Sequence, residues 1–468
     1  RKGEKICLLT TNRPEYTVTF IAAASIGLIS SPMNPAYKER EIGYQLENAE
    51  ASAVLIQREL LPLLQTVLSQ KSLPKLKHII VTGEGVPEDM PQAIPWAKLL
   101  RTSSPELPPK VEISGDDLVA LPYSSGTTGL PKGVMLSHRN LVCNNLQFTT
   151  ALQTDVSDVA LIFLPFYHIY GVMLTGGFLA CGGTQVLMER FDLVQSLEMC
   201  ARYGVTYYFA VPPIIVALAN APVDLSKMKT VKYVFSGAAP LPLDPSHRLE
   251  EKTGLQVVQG YGLTETSPLT HSQPKDPSLI RPDSVGLPVH NTLQKIVDLE
   301  TGERELPPGE DGEIIVRGPQ IMQGYWQAPE SNAQSLRNGW LYTGYIGHVD
   351  ADGFTYIVDR KKEMIKYKGF GIAPAELESL LMEHPAVMDS AVIGVPDDEA
   401  GELPKGFVVL RPNQTVTPDE IIAFANGKLA GYKKIHIVEI VTAIPKTASG
   451  KILRRELKEM EKARREGK

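Results

Sequence analysis

The chain has 468 residues, 43% of them hydrophobic and 21% charged, enough for roughly two to four domains or subdomains around sizeable cores. A net charge of −6 supplies no global basic field for nucleic acid or an anionic membrane surface. Four dispersed cysteines (Cys7, Cys143, Cys181 and Cys200) show no CxxC or Cys/His spacing, so neither a disulfide framework nor a metal ribbon is expected. Reduced thiols fit a cytoplasmic location.

The chain opens at Arg1 with neither a methionine nor a signal peptide, so upstream residues are expected to be missing. Apolar strand-like runs then recur: "ICLLT" (6–10), "AVLIQ" (53–57), "HIIVT" (78–82), "VALIFLP" (159–165), "TQVLM" (184–188), "TYYFAVP" (206–212), "KYVFSG" (232–237) and "LQVVQGYG" (255–262). Helix-length segments such as "FDLVQSLEMCARYG" separate many of them, which predicts an α/β fold of layered subdomains with largely parallel strands. No apolar run approaches the ~20 residues of a membrane span. From about residue 283 to 359, short strands alternate with "ETGE", "PPGEDG" and "DADG", predicting a small antiparallel β subdomain. Within it, "GWLYTGYIGHVDADG" (339–353) reads as a turn, a short strand and a second turn. Tyr345 would then stand at a loop tip with little to pack on. A third texture, 360–468, predicts a small mobile α+β domain of its own after an N-terminal domain over 1–359. It includes a helix capped by Thr417 with Glu420 three residues on. The charged join 358–371 reads as a hinge.

The sharpest local signal is "LPYSSGTTGLPKGVMLSHRNL" (121–141). Ser124, Ser125, Gly126, Thr127, Thr128, Gly129 and Lys132 follow directly on an apolar strand, before a helix capped by Ser137. Glycines let backbone N–H groups converge on an anion, hydroxyls add donors, and Lys132 adds a point charge. That is chemistry for a polyphosphate, although the spacing is not that of a Walker loop.

This loop resembles the signature of the adenylate-forming superfamily of acyl-CoA synthetases, luciferases and adenylation domains. "PFYHIYG", "SGAAPL", "QGYGLTE", "GEIIVRGPQIMQGYW", "IVDRKKEMIKYKGFGIAPAELE" and "PKTASGKILRREL" match further family motifs in order, over about residues 4–458. The chain is most similar to 4-coumarate:CoA ligases and related bacterial synthetases. The resemblance implies an enzyme that joins a small-molecule carboxylic acid to coenzyme A through an acyl-AMP, using ATP and Mg²⁺, as a monomer or homodimer. The acid would be aromatic and cinnamate-like, or a medium- to long-chain fatty acid. An amine or oxygen acceptor, as in amide synthetases and luciferases, is the alternative. A third reading is a nucleotide-binding variant with weakened catalysis.

By the same resemblance, Lys451 is the catalytic cation of adenylation, His168 orients the reacting carboxylate, Thr264 binds phosphate and Glu265 holds the metal ion. Ser124, Ser125, Gly126, Thr127, Thr128, Lys132, Gln259, Gly260, Tyr261, Tyr345, Arg360, Lys362, Lys366 and Lys451 would contact ATP or AMP. Tyr170, Ser236, Gly237, Ala239 and Gly262 would line the acyl pocket with His168. Phe163, Phe166, Tyr208 and Phe209 lie nearby in sequence and would make it apolar. Arg190, Lys368 and Gly369 would meet coenzyme A. Read without the motifs, Lys362 and Arg190 are solvated charges on a basic face.

Two positions depart from the family pattern. Relatives carry Asp where Tyr345 stands, and that Asp accepts from both ribose hydroxyls. Losing a charge-assisted pair costs roughly 1.5–3 kcal/mol, about ten- to hundredfold in affinity. Gly371 stands where coumarate-ligase-like relatives carry Gln.

Overall fold

The computed structural model describes residues 1–83, 90, 92–104, 106–124, 131–241, 243–368, 370–397, 399–429, 433–447 and 450–465. The first sheet takes its centre from Lys5–Leu9, flanked in parallel by Ile29–Pro32 and Ala51–Gln57. His78–Thr82 and Ala93–Pro95 extend it, also in parallel. Its opposite side, Leu118–Ala120, turns antiparallel through Lys132–Ser137 to Gly324–Tyr325. The central strand is buried along its whole length. Ile6 and Leu8 enter one core cluster while Cys7 and Leu9 enter another. A strand covered on both faces needs apolar residues at every position, which is why the run is continuous and not alternating.

The second sheet orders Thr184–Leu187, Val159–Ile162, Tyr207–Ala210, Tyr233–Ser236 and Gln256–Gly262 in parallel. Leu269–Ser272 and Leu287–Pro288 add an antiparallel edge. Its crossovers include the helices Leu193–Tyr203, capped by Asp192, and Pro212–Asn220, which opens on prolines. In a parallel sheet of this kind the loops beyond the carboxyl ends of the strands form the natural ligand crevice. His168, Pro213, Gly237 and Thr264 all lie just beyond such ends.

The antiparallel expectation for the region after about residue 283 agrees with the third sheet: Leu293–Val297, Gly312–Arg317, Trp340–Val349, Leu336–Arg337 and Thr355–Arg360. One local reading needs correction. Residues 340–349 form a single ten-residue strand, and Tyr345 lies within it, paired in register with Arg360. The ring is half-buried and packs on a core cluster, so it has much to rest on.

The fourth sheet combines Phe370–Ile372, Ile365–Tyr367, Gly401–Leu410, Val387–Asp397 and Ile437–Ile440. Helix Pro418–Asn426 starts at the Thr417–Glu420 capping box read from the sequence. The last helix, Arg454–Arg465, is tied down by the fully buried Lys405, whose Nζ donates to Glu461 and to Glu439 (2.7 Å). Two buried ions held by strong hydrogen bonds act as a locator for that helix.

Candidate active site

Lys451 is delivered by a tight hairpin. Thr447 N donates to Lys451 O (2.8 Å), Gly450 N to Thr447 O (2.9 Å) and Leu453 N to Pro445 O (2.9 Å). Gly450 has φ +79°, and a Cβ there would lie 2.6 Å from Pro213 Cδ on the second sheet's helix Pro212–Asn220. Only glycine allows both that backbone turn and that approach. The Lys451 ammonium therefore enters a cleft shared with Arg360, Glu363, Glu265 and Arg454. Burial first, and repulsion from Arg360 second, lower its pKa to about 8. Glu363 and Glu265 offset this only in part and none of the described residues forms an ion pair with Lys451; a ligand phosphate or carboxylate would supply one.

His168 caps helix Ile169–Cys181, its Nδ1 accepting from Tyr170 N (3.2 Å). Part of its surface opens to the cleft, yet the surrounding protein pushes its pKa down to about 4, with Lys451 as the second cause. It is thus a neutral imidazole with Nδ1 committed as acceptor, leaving Nε2–H as the donor.

Glu265 lies in the short helical turn Thr264–Thr266, anchored by Met322 N donating to its carbonyl (2.9 Å). Its carboxylate accepts from the Tyr325 hydroxyl at 2.9 Å. Lys132 sits over the Tyr325 ring (5.4 Å) and donates to Ser331 Oγ (2.7 Å). Neither Tyr325 nor Ser331 was singled out in the sequence. Among the described residues no group of three or more His, Cys, Asp or Glu side chains could hold a metal ion. A lone carboxylate suits Mg²⁺, which normally keeps several waters and substrate phosphate oxygens as its other ligands.

On the other wall, the Tyr345 hydroxyl accepts from Arg360 Nε at 2.8 Å. The guanidinium lies 5.0 Å from the ring centroid, and the ring meets Tyr261 edge-on at 5.3 Å. Behind Tyr261, His271 contacts Thr270 and Gln294, and burial pushes its pKa down to about 4. The Tyr261 hydroxyl is buried close to Thr343, but it makes no hydrogen bond of good geometry among the described residues. The Ser236 hydroxyl is likewise buried and unpaired. Orphaned polar atoms of this kind beside a cleft are what a bound ligand satisfies.

Tyr170 is buried and its ring would lie 3.2 Å from a Cβ on Gly237, so those two expected acyl-pocket residues do meet. The aromatic neighbours require a correction. Phe163, Phe166, Tyr208 and Phe209 are at most 4% exposed and pack within the core. Phe163 stacks obliquely on Tyr208 (5.2 Å), whose hydroxyl pairs with Ser196 (2.9 Å); Phe209 lies between Phe148 and Phe178. Strand alternation says which residues share a face but not what that face meets.

The remaining expectations fall in three groups. Gln259 and Gly260 lie on the strand Gln256–Gly262, with the Gln259 amide donating to Pro282 O (2.6 Å), and Ala239 is half-buried beyond Gly237. Ser124 closes the strand Tyr123–Ser124, whereas Ser125, Gly126, Thr127, Thr128 and Gly369 lie outside the described residues. Lys362, Lys366, Lys368 and Arg190 are exposed. Lys368 leans on Tyr367 (5.8 Å) in the electrostatic company of Asp397 and His436, not of Lys451.

The AMP-binding enzyme family profile matches residues 1–326, and the profile of its C-terminal domain matches 376–451. The chain belongs to this adenylate-forming family of CoA ligases, and ATP and coenzyme A are substrates of that family. It is 41% identical over 473 residues to 4-coumarate-CoA ligase 1 of Narcissus pseudonarcissus, covering 98% of this chain and 84% of that protein. Its structure is similar to the anthranilate CoA ligase AuaEII bound to anthranoyl-AMP (TM-score 0.91, 30% identity, 99% of this chain and 88% of the other). It is also similar to ATP-bound MatB from Rhodopseudomonas palustris (TM-score 0.90, 29% identity, 99% and 89%). The apo form of the latter matches less closely, at TM-score 0.77.

Proposed function

We propose that this enzyme is an AMP-forming acid–CoA ligase acting on an aromatic, cinnamate-like acid or on a medium- to long-chain fatty acid. The observation that carries this reading is the under-compensated Lys451 ammonium, brought from the C-terminal region to within electrostatic reach of His168, Glu265 and Arg360. In the first step the acid's carboxylate attacks the α-phosphate of ATP and pyrophosphate leaves. Lys451 offsets the charge that gathers where carboxylate and phosphate meet, and neutral His168 donates from Nε2 to orient the carboxylate. Glu265, oriented by Tyr325, would hold Mg²⁺, which supplies charge neutralisation on the phosphates when bound. Lys132 and Thr264 bind phosphate, and Gln259, Gly260 and Tyr261 flank the nucleotide. In the second step the coenzyme A thiol attacks the acyl carbon and AMP leaves.

We place the division between an N-terminal domain and a mobile C-terminal domain at residues 359 and 360. Movement of the latter would exchange Lys451 for the exposed Lys368 face at the cleft, which accounts for Lys368 standing away from it here. The named activities of the relatives support an aromatic acid, and the Tyr170–Gly237 contact suits a flat ring. A pyrophosphate-release screen over cinnamic, benzoic and fatty acids tests the reading, with coenzyme A and a panel of amines as acceptors. Release with one acid class and thioester formation are expected. Amide formation without thioester would replace coenzyme A as the acceptor.

A further inference from the structure

His168 reaches the cleft on residues 163–168, which leave the second sheet after Val159–Ile162 and precede the helix Ile169–Cys181. His168 N donates to Pro165 O (3.0 Å), and a Cβ on Gly171 would lie 2.4 Å from the same oxygen. The Pro165 carbonyl is thus wedged against the first turn of the helix, and a shift at Pro165 carries His168 with it. The residues on either side of Pro165 are gripped from the first sheet. Asn12, 4% exposed, donates its amide to Leu164 O (2.9 Å) and accepts from Phe166 N (2.8 Å). One partner can only accept and the other only donate, so the orientation of the amide is fixed. The hydroxyl of the buried Tyr16 donates to Phe166 O (2.7 Å), and its ring lies 5.2 Å from that of Phe166. The gripping segment is itself anchored. Thr11 N donates to the buried Gln57 side chain (2.8 Å), on the strand beside Lys5–Leu9, and Arg13 pairs with Glu189 (3.0 Å) just past the strand Thr184–Leu187.

We propose that Asn12 is a positioning residue for adenylation: its side-chain amide, acting across the two sheets, holds the Leu164–Phe166 backbone so that the His168 imidazole meets the reacting carboxylate. The inference rests on the carboxylate-orienting role given to His168 above. Asn12 needs no contact with substrate for this. Nδ1 of His168 is committed to Tyr170 N, so the direction of its Nε2–H follows from where residues 163–168 sit. Misplacement of such a group by about 1 Å costs up to about 10²-fold in rate. A task of merely joining the sheets would not call for a buried amide. Ile6, Leu8 and Leu55 of the first sheet already share one core cluster with Leu164 and Phe166. What apolar contact does not fix is register, and two directional hydrogen bonds on either side of Pro165 do.

The test is a double-mutant cycle with His168. Single-turnover acyl-adenylate formation is followed with cinnamic acid, or with dodecanoic acid where cinnamic acid does not react. ATP binding to each variant is measured by calorimetry. Asn12→Ala is expected to slow the step about tenfold or more, but no further than His168→Ala does, with ATP affinity held within about threefold. Added to His168→Ala, it should slow the step by less than about twofold, because the group it positions is already gone. Tyr16→Phe removes a single hydrogen bond and should follow the same pattern at about threefold. It decides the matter if Asn12→Ala fails to fold. A purely structural role would give the same loss in both backgrounds. That result, or an undiminished rate in Asn12→Ala, overturns the inference and leaves the ligase reading standing. Undiminished adenylation in His168→Ala overturns the role given to His168, and the inference with it. A wild type that binds no ATP overturns the ligase reading itself, and again the inference with it.

Discussion

Arg454 and Lys451 lie three positions apart on one turn of chain, and their surroundings treat their charges in opposite ways. Arg454 is largely buried yet surrounded by carboxylates: Nη1 pairs with Glu363 and Nη2 with both oxygens of Glu378 (2.7 Å), with Asp359 close by. Those anions hold its guanidinium above its ordinary range despite burial. Lys451 has no paired carboxylate among the described residues, and burial first, with a repelling Arg360 second, pulls its ammonium down to about 8. A balanced buried charge is a structural joint, whereas an unbalanced one at a cleft is an invitation to an anionic ligand.

The comparison can be broken at either end. Arg454→Met should cost about 3–5 kcal/mol of stability, because Glu378, Glu363 and Asp359 would keep their buried charges without a counter-ion. Urea unfolding measures it, and a loss below about 1 kcal/mol would remove the contrast. Lys451→Ala should leave stability nearly unchanged while slowing pyrophosphate release by about 10²–10³-fold, or about 2.7–4 kcal/mol. A preformed acyl-adenylate should still be converted by coenzyme A in that variant; normal adenylation would show that another group carries the charge.

The depressed pKa gives the second arm of the same contrast. Lys451 must be protonated to act, and its protonated fraction falls as pH rises through about 8. The free-enzyme parameter kcat/KM for ATP should therefore decline above about pH 8, approaching tenfold per pH unit. A bound phosphate raises the same pKa, so kcat should hold to higher pH. A profile flat to pH 10 would mean that Lys451 is not so poised.

Smaller effects sharpen the boundary between balanced and unbalanced charge. Tyr325→Phe removes the hydrogen bond from the Tyr325 hydroxyl to the Glu265 carboxylate and should weaken Mg²⁺-dependent nucleotide binding by about 1.5–3 kcal/mol. A magnesium titration of pyrophosphate release reads that loss, and an unchanged half-saturation would detach Glu265 from the metal. Asn220 is a milder case. Its Oδ1 accepts from Arg248 (3.2 Å) and from Arg411 (2.9 Å), so one neutral oxygen links the second sheet's helices to the fourth sheet's surroundings. Asn220→Ala should cost only about 0.5–1.5 kcal/mol in thermal unfolding.

Much of this was legible beforehand. Continuous apolar runs announced parallel strands because a strand covered on both faces must be apolar throughout. The Thr417–Glu420 box placed a helix start within one residue, since capping is a local hydrogen-bond problem. Lys451, His168 and Glu265 were named from their motifs, and their side chains do converge electrostatically. Other partnerships were invisible because they join distant segments. Tyr325 reaches Glu265 across 60 positions and Lys132 reaches Ser331 across 199. The strand around Tyr345 was misread because its pairing partners, not its own composition, extend it to ten residues.

By itself the sequence determined the layered α/β class, the family and the short list of groups able to do chemistry, because these depend on local periodicity and on motif spacing. Only the tertiary structure decided which charges are compensated. Glu363 was free in principle to pair with Lys451 and instead pairs with Arg454. Tyr345 could have faced solvent and instead shares a cleft wall with Arg360 and Tyr261. Those outcomes follow from which elements pack together, and it is packing that sets the desolvation and the neighbouring charge each group experiences.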